Sequence, residues 1–392
     1  MTIPFAPDEM VEALVNLEPA AAAERAAIRV VRAPGRVNLI GEYTDINAGL
    51  VLPVAIDREI RIAYVPSDDR RVELTRLDDG EHGAFDLEAL AGRSGGWPDY
   101  VAAVAWALAE AGLPTRGLRG VIASTLPENA GLSSSAAIEL ASAWALLDST
   151  VPDLDALALA RICQQAENEY VGVRSGLMDQ FASSCGVAGS ALLLDCRSTA
   201  WRTIRIPAGL SLVVCHTGSP RRLGGSAYNV RREQCEAAVA GIRRLDPSVQ
   251  TLRDVSPALL ADARSSLDPV VARRAEHVVH ENERVLATLA AFEADDLAAV
   301  GAIFAAGHRS LRDLFEVSSP ELDALVEIAS GVPGVVAARM TGAGFGGCTV
   351  NLVRPDAVER LAATVLATYP GRTGLRPLVL PVAAADGAGR LR

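Results

Sequence analysis

A loop rich in glycine and serine, residues 127–137, has the residue types of a phosphate-binding site. The apolar run 120–123 before it predicts a strand, and apolar residues at helical spacing over 136–147 predict a helix after it. A helix N-terminus presents unpaired backbone N–H groups and a partial positive charge, which favour an anion. Gly131 permits close backbone approach, and the hydroxyls of residues 133–135 can donate to phosphate or bind Mg²⁺. One serine would more simply cap the helix, but three in succession favour phosphate.

The chain contains no lysine, and its 37 lysine-or-arginine positions are all arginine. The P-loop of nucleotide-binding proteins and the phosphate site of protein kinases each need a lysine, as do Schiff-base and pyridoxal chemistry. The sequence therefore excludes these classes. A nucleotide bound by this chain must be held by backbone dipoles, hydroxyls, a metal ion and arginine.

Residues 36–45 interleave polar and apolar side chains, so that some charges are expected to point inward. Arg36, Glu42 and Asp45 carry these charges, and a buried charge is costly unless it is paired. One interpretation is a surface turn with an arginine–glutamate pair. The other is a pocket in which carboxylates accept hydrogen bonds from the hydroxyls of a polar ligand. The pattern alone leaves both open.

Composition limits the kind of protein this can be. The 392 residues are enough for two domains, half are hydrophobic, and the net charge is -11, so we expect an acidic globular protein. Because an acidic surface repels nucleic acids and anionic lipids, neither nucleic acid nor membrane is an expected partner. We expect no signal peptide or membrane span, and the six scattered cysteines lack Cys-x-x-Cys spacing. These features predict a cytoplasmic protein with reduced thiols.

Periodicity predicts the elements that must position the loop. Pro34 and Gly35 predict a turn after the first strand. Helical periodicity extends over 154–171, which carries Glu167, and over 270–292. The other expected strands and helices are strands at 27–33, 56–65, 71–77, 191–195, 201–207 and 212–215, and helices at 97–109, 235–244, 297–304 and 319–329.

Two further patterns resemble known kinds of site and are interpreted otherwise. His277 and His280 lie three apart in a charged helix, where a solvated face is expected rather than a metal pair, since no third ligand is near them in the sequence. Residues 342–347 satisfy the pattern G-x-G-x-x-G, but a dinucleotide fingerprint must open a helix. An alternating β-prone run, 348–353, follows instead. We therefore expect a glycine-rich turn rather than a dinucleotide fingerprint.

Three segments carry a resemblance to a known family. Residues 35–53 (GRVNLIGEYTDINAGLVLP) closely resemble the galactokinase signature. Residues 131–137 (GLSSSAA) and 340–348 (MTGAGFGGC) resemble the second and third motifs of the GHMP small-molecule kinases, which dispense with the P-loop lysine. The match extends from about residue 33 to residue 353 through segments in the family's order, at 165–167, 176–180, 194–198, 228–235 and 312–316.

The resemblance to the galactokinase family implies a fold and an activity. The fold is α+β, with two GHMP kinase domains at 1–207 and 208–392 and an active site in the cleft between them. The activity is ATP-dependent phosphorylation of the anomeric C1 hydroxyl of a hexose, first of all α-D-galactose, with Mg²⁺. Asp179 would take the proton of that hydroxyl or only orient it, and Arg36 would hold Asp179 ionised. The partners would be a sugar and ATP, and the assembly a monomer or a weak homodimer.

The resemblance also implies the binding residues. Mg²⁺ would be held by Ser135 and Glu167, since one hydroxyl and one carboxylate leave room for phosphates and water. Trp97 would line the adenine pocket, with a core aromatic at a helix start as the alternative. The sugar would be held by Glu42, Tyr43, Thr44, Asp45, Gly176 and Tyr228, and the triphosphate by Asn129, Ala130, Gly131, Leu132, Ser133, Ser134 and Ser135.

The sequence departs from the family near the expected sugar pocket. Tyr43 and Ile46 stand where galactokinases usually have His and Tyr, and Ala227 stands where Glu is frequent. Tyrosine is longer than histidine and neutral near pH 7. Two alternatives therefore stay open. One is another GHMP sugar 1-kinase, acting on arabinose, galacturonate or N-acetylgalactosamine. The other is a non-catalytic sugar sensor, against which the unbroken 131–137 motif and Asp179 argue.

Overall fold

The structure is a computed structural model that describes residues 5–90, 95–127, 130–148, 154–219 and 224–392. Helices and strands are mixed along the chain, and the strands form three sheets. Within the described ranges, no helix is both long enough and apolar enough to cross a membrane. The mixture of helices and sheets confirms the predicted α+β class.

The largest sheet has six strands. Its spatial order is β13 (Gly389–Arg390), β1 (Arg29–Asn38), β3 (Pro53–Ser67), β6 (Gly117–Ser124), β4 (Arg71–Arg76) and β5 (His82–Asp86). Neighbouring strands are antiparallel except β4 and β6, which are parallel. The long strand β3 is buried over most of its length because it lies between two partners and its apolar residues pack into the core. The strands predicted from periodicity in this part of the chain are confirmed.

The predicted turn at Pro34 and Gly35 is wrong, because β1 runs through both residues. The pairing of β1 with β3 instead shifts register between Pro34 and Arg36, as at a β-bulge. A Cβ atom on Gly35 would lie 2.5 Å from the carbonyl oxygen of Leu132, so only glycine permits this approach. The backbone N–H of Arg36 donates to the same oxygen at 3.0 Å. The irregularity therefore places Arg36 against the glycine–serine loop.

Two smaller sheets follow. The first contains β2 (Leu50–Val51), β7 (Ser190–Asp195) and β8 (Trp201–Arg205) in that order. The second contains, in spatial order, β10 (Val335–Thr341), β11 (Cys348–Val353), β9 (Ser211–His216) and β12 (Leu378–Val382). The chain then returns to the six-stranded sheet, where β13 pairs with β1. We propose that the second domain begins at residue 208, shortly before β9.

The helices predicted from periodicity are present. Most have only small shifts of their ends, but the helix predicted at 235–244 begins eleven residues earlier, at Gly224. The segment predicted as one helix over 154–171 begins as an α-helix and continues as a π-helix, Ala166–Val171. A second π-helical segment is Leu311–Phe315. The α-helices in the described ranges are α1 (Pro7–Leu17), α2 (Pro98–Glu110), α3 (Ser134–Leu147), α4 (Ala156–Gln165), α5 (Met178–Cys185), α6 (Gly224–Ile242), α7 (Pro257–Ala263), α8 (Pro269–Glu293), α9 (Leu297–Ser310), α10 (Pro320–Ser330) and α11 (Val358–Thr373).

Packing of these helices brings the ends of several elements together. Helix α3 packs on β1 and β3 and beside α2, since it is apolar nearly all round and its residues are almost all buried. Helix α5 also packs on β1 and β3, while α9 and α10 pack on β10. The long helix α8 packs against α6 and α9 and also contacts β2. As a result, the N-terminus of α3 and the ends of β1 and β10 line one cavity.

Candidate active site

The cavity between these elements has a volume of about 280 Å³, and a second cavity of about 360 Å³ adjoins it. Tyr100, Ser134 and Ser135 line both. Together the two cavities have the size of a site for small molecules. The predicted site residues that line the first cavity are Arg36, Glu42, Tyr43, Asp45, Gly131, Ser133, Ser134, Ser135, Glu167, Gly176, Asp179 and Tyr228.

Asp179 and Arg36 form a two-pronged ion pair in this cavity. Arg36 Nε donates to Asp179 Oδ1 and Arg36 Nη2 donates to Oδ2, both at 2.7 Å. Ser133 Oγ donates to the same Oδ2 at 2.5 Å, and the remaining Arg36 nitrogen, Nη1, donates to the carbonyl of Gly131 at 2.8 Å. Hydrogen bonds from two side chains thus fix the orientation of the Asp179 carboxylate, and paired donation of this kind is both strong and directional. The side chain of Asp179 stays 24% exposed, so a ligand can reach it.

The hydroxyl of Ser133 is therefore directed into the site. Ser133 stands just before α3 with a φ of 60°, a left-handed conformation that is uncommon for serine. That conformation leads the chain from Gly131 into the helix, and the serine hydroxyl donates to Asp179 rather than accepting from the first turn of α3. The first N–H groups of α3 therefore receive no side-chain cap from Ser133 and stay available to an anion.

Asp45 and Gly176 pack against each other in the wall of the first cavity. The backbone N–H of Ile46 donates to Asp45 Oδ1 at 2.9 Å. Burial and the nearby charge of Asp179 raise the pKa of Asp45 to about 6, while Arg36 acts in the opposite direction. A Cβ atom on Gly176 would lie 2.1 Å from Asp45 Oδ2, so glycine is required for this contact.

We expect the substitution Gly176→Ala to weaken sugar binding, because the new methyl group forces the Asp45 carboxylate out of place. The loss of hydrogen bonds to a charged acceptor predicts a rise in KM for the sugar of roughly 10- to 100-fold. KM for ATP should change little. The matched control is Gly371→Ala, since a Cβ atom at Gly371 in α11 meets nothing within 4 Å. An unchanged sugar KM in Gly176→Ala would contradict the expectation.

Tyr43 occupies the position where the family usually has histidine, and its side chain spans two motifs. Its hydroxyl donates to the carbonyl of Ala343 at 2.6 Å, and its ring stacks on Tyr228 at a centroid distance of 5.2 Å. Phe315 covers another side of the ring at 4.4 Å. Tyr43 is 3% exposed and has a φ of 65°. The ring of Tyr43 therefore forms a wall of the cavity. The hydrogen bond from its hydroxyl joins the signature to the glycine-rich third motif.

Glu167 and Ser135 lie together at the other end of the cavity. Ser175 Oγ donates to Glu167 Oε2 at 2.5 Å, and Gln180 Nε2 donates to the same oxygen at 3.0 Å. Burial raises the pKa of Glu167, the charge of Asp179 acts in the same direction, and hydrogen bonds from Ser175, Gln180 and Ser135 oppose the shift. A bound cation would relieve the repulsion between these carboxylates. One carboxylate and one hydroxyl beside a phosphate site fit what Mg²⁺ prefers.

The glycine-rich third motif lies directly against the glycine–serine loop. Cβ atoms on Gly342 and Gly347 would lie 3.1 Å from the carbonyl oxygens of Gly131 and Ala130, respectively. Both glycines have positive φ angles, 77° and 87°. The strand β11 follows the motif, so the dinucleotide interpretation is excluded by the structure as well.

The second cavity is lined by aromatic and aliphatic side chains together with several polar ones. Trp97, at the start of α2, lines it together with Tyr100, Ile122 and Ile138. Ser124 and Arg76 add polar groups to the wall. These side chains suit a flat heteroaromatic ring next to the glycine–serine loop.

Some predicted residues contribute without lining the first cavity. The hydroxyl of Thr44 lies 2.7 Å from the carbonyl oxygen of Gly41 and 2.6 Å from that of Leu50. These contacts stabilise the turn of the signature between β1 and β2. Ala130 and Leu132 are buried, and the Leu132 carbonyl accepts from the backbone of Arg36. Asn129 lies outside the described residues. A sugar- or phosphate-binding role for these residues remains a prediction.

Several buried polar residues near the site were missed from the sequence. Gln180 bridges Glu167 to Glu139, to which it donates at 2.9 Å, and Glu139 is completely buried. Helical spacing places Glu139 on α3, but the apolar residues around it gave no signal of a polar cluster. The predicted solvated face at His277 is wrong: the ring is fully buried, with Nδ1 2.8 Å from the hydroxyl of Ser310. The reason is that α8 is covered on that side by the signature loop and α9.

Comparison with known proteins agrees with this geometry. The family model of the GHMP kinases N-terminal domain matches residues 99–187, and that of the C-terminal domain matches residues 288–371. A model described as the galactokinase galactose-binding signature matches residues 21–66. Fold and site together therefore define a small-molecule kinase of the GHMP class.

Individual relatives show which family of this class the chain belongs to. A galactokinase of Roseiflexus sp. is 42% identical over 362 residues, which cover 92% of this chain and 93% of the relative. A galactokinase of Chloroflexus aggregans is 44% identical over 354 residues, or 90% of this chain and 91% of the relative. The crystal structure of Lactococcus lactis galactokinase complexed with galactose superposes with a TM-score of 0.89 at 32% identity, covering 95% of this chain and all of that one. The chain belongs to the galactokinase family.

The wider class shares the fold alone. Mevalonate kinase of Methanococcus jannaschii has a TM-score of 0.64 at 17% identity, over 91% of this chain and 98% of that one. The two-domain GHMP fold predicted from the resemblance is confirmed.

Proposed function

We propose that this protein transfers the γ-phosphoryl group of ATP to the C1 hydroxyl of α-D-galactose, giving galactose 1-phosphate and ADP. The observation that carries the proposal is the Arg36–Asp179 pair beside the glycine–serine loop, with the signature carboxylates around it. The similarity to galactokinases over nine-tenths of the chain supports galactose as the sugar.

In the proposed reaction the sugar binds against the signature. Glu42, Asp45 and Tyr228 offer acceptors and a hydroxyl to the ring hydroxyls, and Gly176 leaves room beside Asp45. The C1 hydroxyl then lies at Asp179. As the new bond from the C1 oxygen to phosphorus forms and the bond to the β,γ-bridging oxygen breaks, the hydroxyl proton passes to Asp179 and ADP leaves.

The remaining residues position the nucleotide. The backbone of residues 130–135 and the start of α3 offer N–H donors to the triphosphate. Arg36 places positive charge next to the group in transfer, where charge on the equatorial oxygens must be stabilised. The adenine ring is assigned to the second cavity, against Trp97. The assigned Mg²⁺ ligands are Ser135 and Glu167, and the ion would supply charge neutralisation on the phosphates.

A coupled assay of ADP release over a panel of sugars tests the proposal. The panel is galactose, talose, arabinose, galacturonate and N-acetylgalactosamine, each with MgATP, and phosphorus NMR of the product identifies the phosphorylated position. We expect turnover on galactose and a C1 phosphate. Turnover on another sugar with none on galactose would overturn the assigned substrate while keeping the reaction. Sugar binding by calorimetry without turnover on any sugar would favour a sensor.

A further inference from the structure

Next to the proposed sugar site lies a cluster of four charges, three of them buried, that local sequence patterns do not reveal. Arg339 Nη2 donates to Glu42 Oε2 at 2.5 Å and to Glu281 Oε1 at 2.8 Å. Arg284 Nε donates to Glu281 Oε2 at 2.6 Å. Arg339 and Glu281 are completely buried, and Glu42 is 1% exposed. Two arginines thus balance two glutamates. Three of the four side chains are buried, where an uncompensated charge would be costly, and Arg284 is 16% exposed.

The members of the cluster come from three separate elements. Glu42 lies in the signature turn after β1, Glu281 lies on α8, and Arg339 lies on β10. Backbone contacts join the same elements: the N–H of Gly41 donates to Glu281 Oε1 at 3.1 Å, and the ring of His277 lies 3.2 Å from the carbonyl of Glu42. The signature turn is therefore held by residues more than 200 positions away in the sequence.

The cluster uses only one of the two oxygens of Glu42. Oε2 accepts from Arg339, whereas Oε1 has no hydrogen-bond partner in the described part of the chain, although it is buried. A buried polar atom without a partner is costly and uncommon in native proteins. Glu42 lines the cavity in which we place the sugar. A sugar hydroxyl that donates to Oε1 would complete the set of hydrogen bonds around this carboxylate.

We propose that Arg339 is a positioning residue for sugar recognition. It binds Glu42 Oε2 and thereby directs Glu42 Oε1 towards a sugar hydroxyl. This inference rests on the proposed function and assigns a role that the signature alone does not contain. Recognition of the sugar then depends on the C-terminal half of the chain as well as on the signature. Glu281 accepts from the same Arg339 nitrogen, Nη2, and in turn accepts from Arg284, so that Glu281 helps to hold this nitrogen in place.

The charges around Glu42 predict that sugar affinity depends on pH. Burial raises the pKa of Glu42 to about 7, Arg339 and Arg36 act to lower it, and Glu281 acts to raise it. His277 is buried and its pKa is lowered to about 4, so this ring stays neutral near pH 7. Because the ionised carboxylate is the better acceptor, sugar affinity should fall as the pH falls through the pKa of Glu42. Removal of Arg339 should move the pH at which sugar affinity is lost to a higher value. Removal of the Glu281 charge should move it to a lower value.

The test measures galactose binding by calorimetry, without nucleotide, as a function of pH. For Arg339→Met we expect a dissociation constant at least about tenfold higher at neutral pH. The midpoint of the acid-side loss of affinity should move to higher pH. Arg339→Lys should recover part of both effects, because it restores the positive charge, although an ammonium group does not take the position of Arg339 Nη2. For Glu281→Gln the midpoint should move to lower pH, a change opposite in sign that general loss of structure would not produce. This second variant keeps the test decisive even where Arg339→Met folds poorly.

The matched control is Arg274→Met. Arg274 lies on α8 and is also a buried arginine, 2% exposed, but its partners are Gln234, Glu316 and the carbonyl of Leu314. This variant should lower Tm and leave galactose affinity and its pH midpoint unchanged. A second control places Arg339→Met in a Glu42→Gln background, where it should add no further loss of affinity.

Two results separate failure of this inference from failure of the proposed function. Galactose binding by Arg339→Met with the affinity and pH midpoint of the unsubstituted protein would overturn the positioning role alone. Absence of galactose binding in the unsubstituted protein would overturn the proposed substrate, and the inference with it.

Discussion

Asp179→Asn should lower kcat for sugar phosphorylation by at least about a hundredfold, the size of a general-base contribution. Asparagine has nearly the same shape as aspartate and can still accept from Arg36, but it cannot take the proton of the C1 hydroxyl. Since Asp179 binds no part of the nucleotide in the proposed arrangement, the dissociation constant for ATP, measured by calorimetry, should change little. The assay is ADP release at saturating sugar and ATP.

The control for this change is Asp323→Asn. The side chain of Asp323 is 23% exposed, close to the 24% of Asp179, and it also holds a basic partner, His308. It does not line the first cavity, so kcat should stay as in the unsubstituted protein. If Asp179→Asn kept full activity, Asp179 would lose the role assigned to it, whether as base or as the group that orients the hydroxyl.

Arg36→Met should lower kcat by on the order of a thousandfold, because an arginine that stabilises charge on a phosphoryl group in transfer contributes on that scale. The structure adds a second reason for a large effect. The guanidinium of Arg36 joins Asp179 to the Gly131 carbonyl, so its loss frees both the carboxylate and the glycine–serine loop. We therefore expect KM for ATP to rise as well. Stopped-flow or quench measurement of a single turnover would show the loss in the chemical step itself.

Arg36→Lys distinguishes charge from geometry at this position. Lysine restores the positive charge but cannot donate to both Asp179 oxygens and to Gly131 at once, so we expect only partial recovery of kcat. Arg274→Met again serves as the control, since it removes an arginine of comparable burial outside the cavity and should leave kcat unchanged. Full activity in Arg36→Met would contradict the assignment of Arg36 to the transferring group.

Local patterns in the sequence were sufficient for most of the secondary structure. The strand before the glycine–serine loop and the helix after it were predicted, because each depends on neighbours within a few positions, although the helix begins at Ser134, two residues earlier than expected. The strand after residues 342–347 was also predicted, and that prediction by itself argued against a dinucleotide fold. The error at Pro34 and Gly35 has a nonlocal cause. The shift in pairing with β3 and the approach of Leu132 decide that conformation, and neither can be seen in the local sequence.

What the sequence by itself determined is the chemistry that the chain can offer. The absence of lysine excludes a P-loop, the successive serines and the signature carboxylates predict a phosphate site built from backbone, hydroxyls and arginine, and the motifs identify the family. Only the tertiary structure decided which distant groups meet. Two buried groupings could not be predicted: Arg339 and Glu281 next to Glu42, and Glu139 next to Glu167. Each of these residues alone resembles an ordinary charge on a strand or helix. Their pairing arises from long-range packing, which a pattern of neighbours along the chain does not encode.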